Sequence, residues 1–336
     1  MILERFPRPA VNCYTGSLVR LASLHDEVFG EAEVLERGDG YLLRSGHDER
    51  GYPEYTFAVE EVGMRGLRAL GHDVRTEAID EGNWREQLRS LLRAHKGVVA
   101  WTNSEHLAYA EVYATNPGYL HAVLVQEVSA DLQRVRVHDS LVVDTERFAC
   151  DAWLSAEAFG EAIIDSVATE TYDHMGFFHT ISATAPARDR ATARADLARQ
   201  ARRFGDEVAY HDAVAEYRRF CAGFFAHGDE RATRAARRLF DHINVLYVLP
   251  NLNLLNRSLV RAEMGARAVD LCGELVGHWK VLALQALKFE ATLSPSVRKR
   301  IDDRFHRIDD TTTALWQEIR TTLDKEQPDE RARART

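Results

Sequence analysis

The spacing of apolar residues changes along this chain. In "NCYTGSLVRLASLHD", residues 12–26, Tyr14, Leu18, Leu21 and Leu24 recur at steps of three and four, and Pro9 lies upstream as a break. That is one face of a helix, predicted to begin at Asn12 or Cys13. Farther on, "GVVAWT", "HAVLVQEV" and "RVRVHDSLVV" run apolar or alternate over strand lengths. The last two, preceded by a turn at Pro117-Gly118 and joined by a polar loop over Ser129 to Gln133, predict a hairpin. After "ISATAPARD" the pattern becomes helical and poor in proline, from "RATARADLARQARRFGDEVAYHDAVAEYRRFCAGFFA" to "PSVRKRIDDRFHRIDDTTTALWQEIRTTLDKE". The expected class is α+β: a mixed α/β domain over 1–184, an all-α domain over 185–325 and a disordered tail over 326–336.

Alternation within the hairpin has a chemical consequence. His121, Val123 and Val125 share one face of the outgoing strand, and Val135, Val137 and Asp139 share one face of the return. A loop centred near Asp131 sets 121 opposite 141 and 123 opposite 139, which makes His121 and Asp139 diagonal neighbours within hydrogen-bond reach. A one-residue bulge between them would flip the register and separate them. Cys13, at the helix start, sits where unpaired backbone N–H groups favour a negatively charged sulfur. A thiol, an imidazole to share its proton and a carboxylate to orient the imidazole are the parts of nucleophilic cysteine chemistry. For the oxyanion, the Cys13 N–H with the side chain of Asn12 or Asn103 is the expected donor set. His106, in a loop, and His138, facing away from the Asp139 side of its strand, compete less well as the base. Cys221, Cys272, Trp279 and Leu282 stand at helical spacing among apolar residues and are expected in the core; Cys150 has no evident partner.

Composition narrows the classes. A formal net charge of -9 over 336 residues argues against nucleic acid or an anionic membrane as partner. "MILERFPRPAVNC" has no signal-like apolar core, and "VDLCGELVGHWKVLALQALKF" is broken by Glu274, Lys280 and Lys288, so a cytoplasmic protein without spans is expected. The four cysteines are far apart and indicate neither a zinc site nor a disulfide framework. "RIDDRFHRIDD" has the spacing of a solvated helix, so no metal is expected, and "RGDGYLLRSG" lacks the Gly-Lys-Ser/Thr of a phosphate loop. Against this acidic background Arg199, Arg202, Arg203, Arg234, Arg237 and Arg238 concentrate arginine without lysine, a candidate docking face for an acidic partner.

In chain order, a Cys-led helix, a His-led strand and an Asp-ending strand match papain-like folds. The stretches "NCYTGSLVRLASLHDEVFGEAEVLERGDGYLLRSG", "GVVAWTNSEHLAYAEVYATNPGYLHAVLVQEV" and "RVRVHDS" resemble the butirosin-biosynthesis H protein family. That family carries a Cys-led helix with a Gly-rich segment, an apolar strand, a Leu-x-Tyr element, a His-led strand and a terminal Asp. A helical domain often follows, to which "NRSLVRAEM" and "GHWKVLALQAL" are similar. The resemblance implies a papain-like acyltransferase of antibiotic-type biosynthesis. A thioester on an acyl or peptidyl carrier protein acylates Cys13, and an amine-bearing small molecule accepts the acyl group, or the chain cyclises. His121 is then general base and acid, and Asp139 the orienting carboxylate. No cofactor of the protein's own is implied, because the phosphopantetheine arm belongs to the donor. The chain departs from the family pattern at Asn12, where many relatives have His, in lacking a Gln upstream of Cys13, and in a Gly-rich part reduced to Gly30, Gly38 and Gly40. The alternatives are a cysteine peptidase or amidase and a noncatalytic scaffold of the same fold; a homodimer is left open.

Overall fold

The computed structural model describes residues 10–26, 29–47, 51–111, 113, 120–141, 150–164, 176–183 and 193–333. The Pro117-Gly118 turn lies outside the described residues. The chain is mixed α+β and forms two compact units, Met1–Gly38 with Ala58–Arg188, and Asp39–Phe57 with Asp189–Thr336.

The first unit holds helices α1 (Cys13–Ser23) and α2 (Glu31–Gly38). Two strands of the second unit, β1 (Arg44–His47) and β2 (Pro53–Thr56), intervene in sequence. Then come α3 (Val59–Ala69), β3 (His72–Ala78), α4 (Trp84–His95), β4 (Val98–Asn103), a 3-10 turn (Ser104–His106), β5 (Leu120–Val128), β6 (Arg134–Asp139), β7 (Cys150–Ser155), α5 (Ala156–Ile164) and β8 (Phe177–Ala183). The strands make one antiparallel sheet in the order β3-β8-β4-β5-β6-β7. Its central strands are covered on both faces, which is why β4 reads as an unbroken apolar run. Val98, Ala100, Val123, Val125 and Val137 pack with Leu88 of α4 and Phe159 of α5. On the opposite face α1 lies along the sheet, with Tyr14 stacked on Trp101 (centroids 5.2 Å apart, 9° between planes) and Ser17 Oγ donating to the Ala122 carbonyl (3.5 Å).

The tip of α1 is fixed at the end of β6. Ala10 N donates to Ser140 O at 3.0 Å, and Ser140 Oγ donates to Cys13 O at 3.4 Å. Gly16 permits this approach: a Cβ there would stand 2.2 Å from Ala10 Cβ and 2.7 Å from Ser140 Oγ. Gly16→Ala should therefore destabilise by about 1–3 kcal/mol in denaturant titration, even though alanine is favoured in a helix by about 1 kcal/mol.

The second unit comprises β1 and β2 with helices α6 (Ala193–Asp206), α7 (Val208–His211), α8 (Ala213–Phe225), α9 (Glu230–Asp241), α10 (Val248–Arg261), α11 (Ala266–Thr292) and α12 (Pro295–Arg333). The expected boundaries need correcting in two places. Residues 39–57, expected in the mixed domain, form a strand pair within the helical unit, which is thus not all-α. Their own aromatics hold them there: Tyr55 stacks on Tyr217 and Trp279, and Tyr41 Oη meets Ser258 Oγ at 2.8 Å. The backbone of α12 also continues to Arg333, through most of the expected tail. Cys221, Cys272, Trp279 and Leu282 are buried as expected. No helix among the described residues is long and apolar enough to cross a membrane.

Candidate active site

The hairpin of β5 and β6 follows the expected pairing where it matters. Leu124 pairs with His138 and Val125 with Val137, and the register carried one step farther sets Val123 against Asp139. A bulge at Gln126 shifts the ladder by one, so that Glu127 pairs with Arg136 and Val128 with Val135. It lies on the loop side of Val125, so the His121–Asp139 end keeps its relation. His121 Nε2 lies 2.8 Å from Asp139 Oδ2. The ring is thus held at Nε2 by the carboxylate, and Cys13 lies near enough to favour its charged form. Cys13, His121 and Asp139, 126 positions apart at the extremes, thus meet at the end of the sheet, with 6%, 1% and 0% of their surfaces exposed. The rejected histidines are engaged elsewhere: His138 Nδ1 with Asp151 Oδ1 (3.2 Å), and His106 Nδ1 with Glu161 Oε2 (3.5 Å).

Burial works against a charged imidazole at His121, but the Asp139 charge and hydrogen bond, helped by Cys13, override it and raise the ring pKa to about 10. Burial likewise penalises the Asp139 carboxylate. The His121 charge and hydrogen bond, with the hydroxyls of Tyr113 and Tyr109, nevertheless hold it well below the usual carboxylate range. The pair is therefore an imidazolium and a carboxylate across the neutral range. Asp139 is fully satisfied: Oδ2 accepts from Tyr109 Oη (2.7 Å), Tyr113 Oη (2.5 Å) and His121, and Oδ1 accepts from Leu141 N (2.9 Å). Tyr113 Oη also lies 2.8 Å from His121 Nε2, so the ring N–H is shared between carboxylate and phenol. Tyr113→Phe should cost about 1–2 kcal/mol of stability in denaturant titration, as expected for one buried hydroxyl on a charged acceptor.

On the other side of Cys13 the main-chain donors are almost all taken. Asn12 caps α1, its Oδ1 accepting from Tyr14 N (2.8 Å) and Thr15 N (3.4 Å), while its carbonyl accepts from Gly16 N (3.0 Å). Asn103 caps the 3-10 turn through Glu105 N (3.0 Å). The caps use the carboxamide oxygens of both asparagines, whereas an oxyanion would call on their NH2 groups. Among the described residues, the N–H of Cys13 is the one amide from 10 to 16 without an acceptor. It stands beside the sulfur, where a developing oxyanion would form.

Two groups that the sequence does not reveal also bear on this corner. Glu31, buried at the start of α2, accepts from Val11 N (2.7 Å), Asn12 N (3.1 Å) and Thr15 Oγ1. Burial lifts its carboxyl to about 7, against the pull of those three donors. Tyr14 is fixed by its stack on Trp101 and by His179, whose Nδ1 lies 2.9 Å from Tyr14 Oη. No regular spacing joins positions 31 or 179 to Cys13; only the fold does.

The arginine cluster is largely neutralised within its own unit. Arg199 and Arg203 both grip Asp39 (2.9 and 2.7 Å), Arg199 also holds Asp196 and Arg203 holds Glu207, Arg234 pairs with Glu230, and Arg237 pairs with Glu290. Arg202 is exposed and Arg238 half-buried. Four of the six arginines expected as a docking face thus meet carboxylates of their own unit, which weakens the local positive field.

The fold and site together define an α+β chain with a buried cysteine, a charged histidine and an orienting aspartate at the end of an antiparallel sheet. A scan of the chain against protein-family models matches none, and a search of curated proteins matches none.

Proposed function

We propose that this protein is a cysteine-dependent acyltransferase with a papain-like core, forming amides from carrier-bound thioesters in specialised-metabolite biosynthesis, as the resemblance to the butirosin-biosynthesis H family implies. The observation that carries the reading is the meeting of Cys13, His121 and Asp139, with His121 Nε2 held by the carboxylate.

The first half-reaction follows from the charges. The sulfur of Cys13 attacks the thioester carbonyl, its negative charge stabilised by the adjacent imidazolium, and the oxyanion is met by the Cys13 N–H. The intermediate collapses, the carbon–sulfur bond to pantetheine breaks, and the departing thiolate takes a proton from His121. Exchange between two thiol esters is nearly thermoneutral, which suits a sulfur nucleophile. In the second half an amine attacks the acyl-cysteine, His121 accepts its proton, the bond from the acyl carbon to the Cys13 sulfur breaks to release that sulfur, and the amide formed is far more stable than the thioester. Asp139 holds the ring through both halves and keeps the charged form available. A carrier protein and an amine-bearing small molecule are the partners this chemistry asks for.

The test is product partition. With acetyl-pantetheine and a panel of small amines, amide should form at a rate that depends on the amine. Acid alone, at a rate indifferent to every amine, would instead make the protein a hydrolase.

A further inference from the structure

We infer that Glu31 is the positioning residue of the nucleophile turn: by taking the N–H groups of Val11 and Asn12 it leaves the N–H of Cys13 alone, aimed for the oxyanion. The inference rests on the acyl-transfer reading and deepens it.

The geometry is specific. Asn12 is extended, at φ -142° and ψ 146°, and in extended backbone successive N–H groups point to opposite sides. Fixing the Asn12 N–H onto Glu31 Oε1 therefore turns the Cys13 N–H away from Glu31. The grip on Val11 through Oε2 sets the plane of the preceding peptide, and the bond to Thr15 Oγ1 ties the same carboxyl to the first turn of α1. One side chain thus spans residues 11 to 15 around the nucleophile. A carboxylate suits the place because both of its oxygens accept; glutamine would present an NH2 group to one of two N–H donors. Glu31 touches neither the sulfur nor the carbonyl carbon. In the step it serves, the bond from Cys13 sulfur to the acyl carbon forms, the bond to the pantetheine sulfur breaks, and the leaving thiolate is protonated by His121. Glu31 only keeps the donor for the intermediate oxygen in place.

The test compares the full-length wild type with Glu31→Gln, using acetyl-pantetheine as the acyl donor. The expected result is a kcat for transfer lower by about 10–100-fold with KM within about twofold, since a misaimed oxyanion donor harms the transition state and not ground-state binding. An unchanged kcat, or a loss confined to KM, overturns the inference. Residue-resolved amide exchange on the wild type decides independently of any variant's folding: Val11 and Asn12 should be protected and Cys13 should exchange about tenfold faster or more. Equal exchange at the three positions overturns the inference. Should the wild type transfer no acyl group at all, the acyl-transfer reading fails, and the exchange pattern still accepts or rejects the anchor.

Discussion

Cys13→Ala is expected to reduce amide formation from acetyl-pantetheine by about 10³-fold or more, because it removes the atom that carries the acyl group between donor and acceptor. The loss should come without unfolding. Cys13 fills a small site at the tip of α1, whose position is set by other groups: the Ser140 contacts, the Asn12 cap and the Tyr14–Trp101 stack. Thermal denaturation of the variant should stay close to wild type, while the same replacement at the buried Cys221 or Cys272 should leave transfer intact and tax only packing. A Cys13→Ala protein that still forms amide at a tenth of the normal rate would show that another group does the chemistry.

The second large effect is expected at Asp139. Asp139→Ala leaves His121 buried beside the Tyr113 hydroxyl but without the charge that holds its proton, so the ring loses its elevated pKa and is neutral at pH 7. Transfer should fall by about 10²–10³-fold, and stability by about 3–5 kcal/mol, the usual range for breaking one side of a buried pair. The pH dependence fixes the sign. His121 has its folded pKa raised, to about 10, above an unfolded value of about 6.5, so its share of stability is complete below about pH 6.5 and disappears as pH climbs through 10. Asp139 has its folded pKa depressed, so its share is complete above about pH 4 and is lost on acidification below that. Denaturant titrations from pH 4 to 10 should show the wild type losing stability toward the alkaline end and Asp139→Ala lacking that decline. Parallel curves for the two proteins would mean that the pair is not ionised as described.

The parts of the site that follow from periodicity were legible in the sequence. Pro9, Asn12 and the Tyr14-Leu18-Leu21 spacing place the start of α1, and the alternation in β5 and β6 with a short polar loop places His121 diagonal to Asp139. That second inference succeeded although β5 carries a bulge, because the bulge sits toward the loop from the His121 end. What the sequence hid are groups recruited by tertiary contact. Tyr109 and Tyr113 look like ordinary aromatic residues in a Leu-x-Tyr stretch, yet their hydroxyls complete the Asp139 carboxylate. Glu31 looks like a first-turn acid of a short helix, yet it faces inward onto the turn that carries Cys13. The asparagines show a role that spacing alone does not give: their carboxamide oxygens cap the two turns, and only the NH2 group of a carboxamide could donate to an oxyanion. The strand pair at 39–57 was hidden because its apolar residues answer to aromatics more than 150 positions later.

The most direct measurement is intact-protein mass after brief exposure to acetyl-pantetheine, followed by peptide mapping. The account predicts one added acetyl group, located on Cys13, absent from Cys13→Ala and discharged as amide when an amine is supplied. No adduct under any donor, or an adduct placed on the part-exposed Cys150 of β7, which pairs with Asp139 across the sheet, would contradict it.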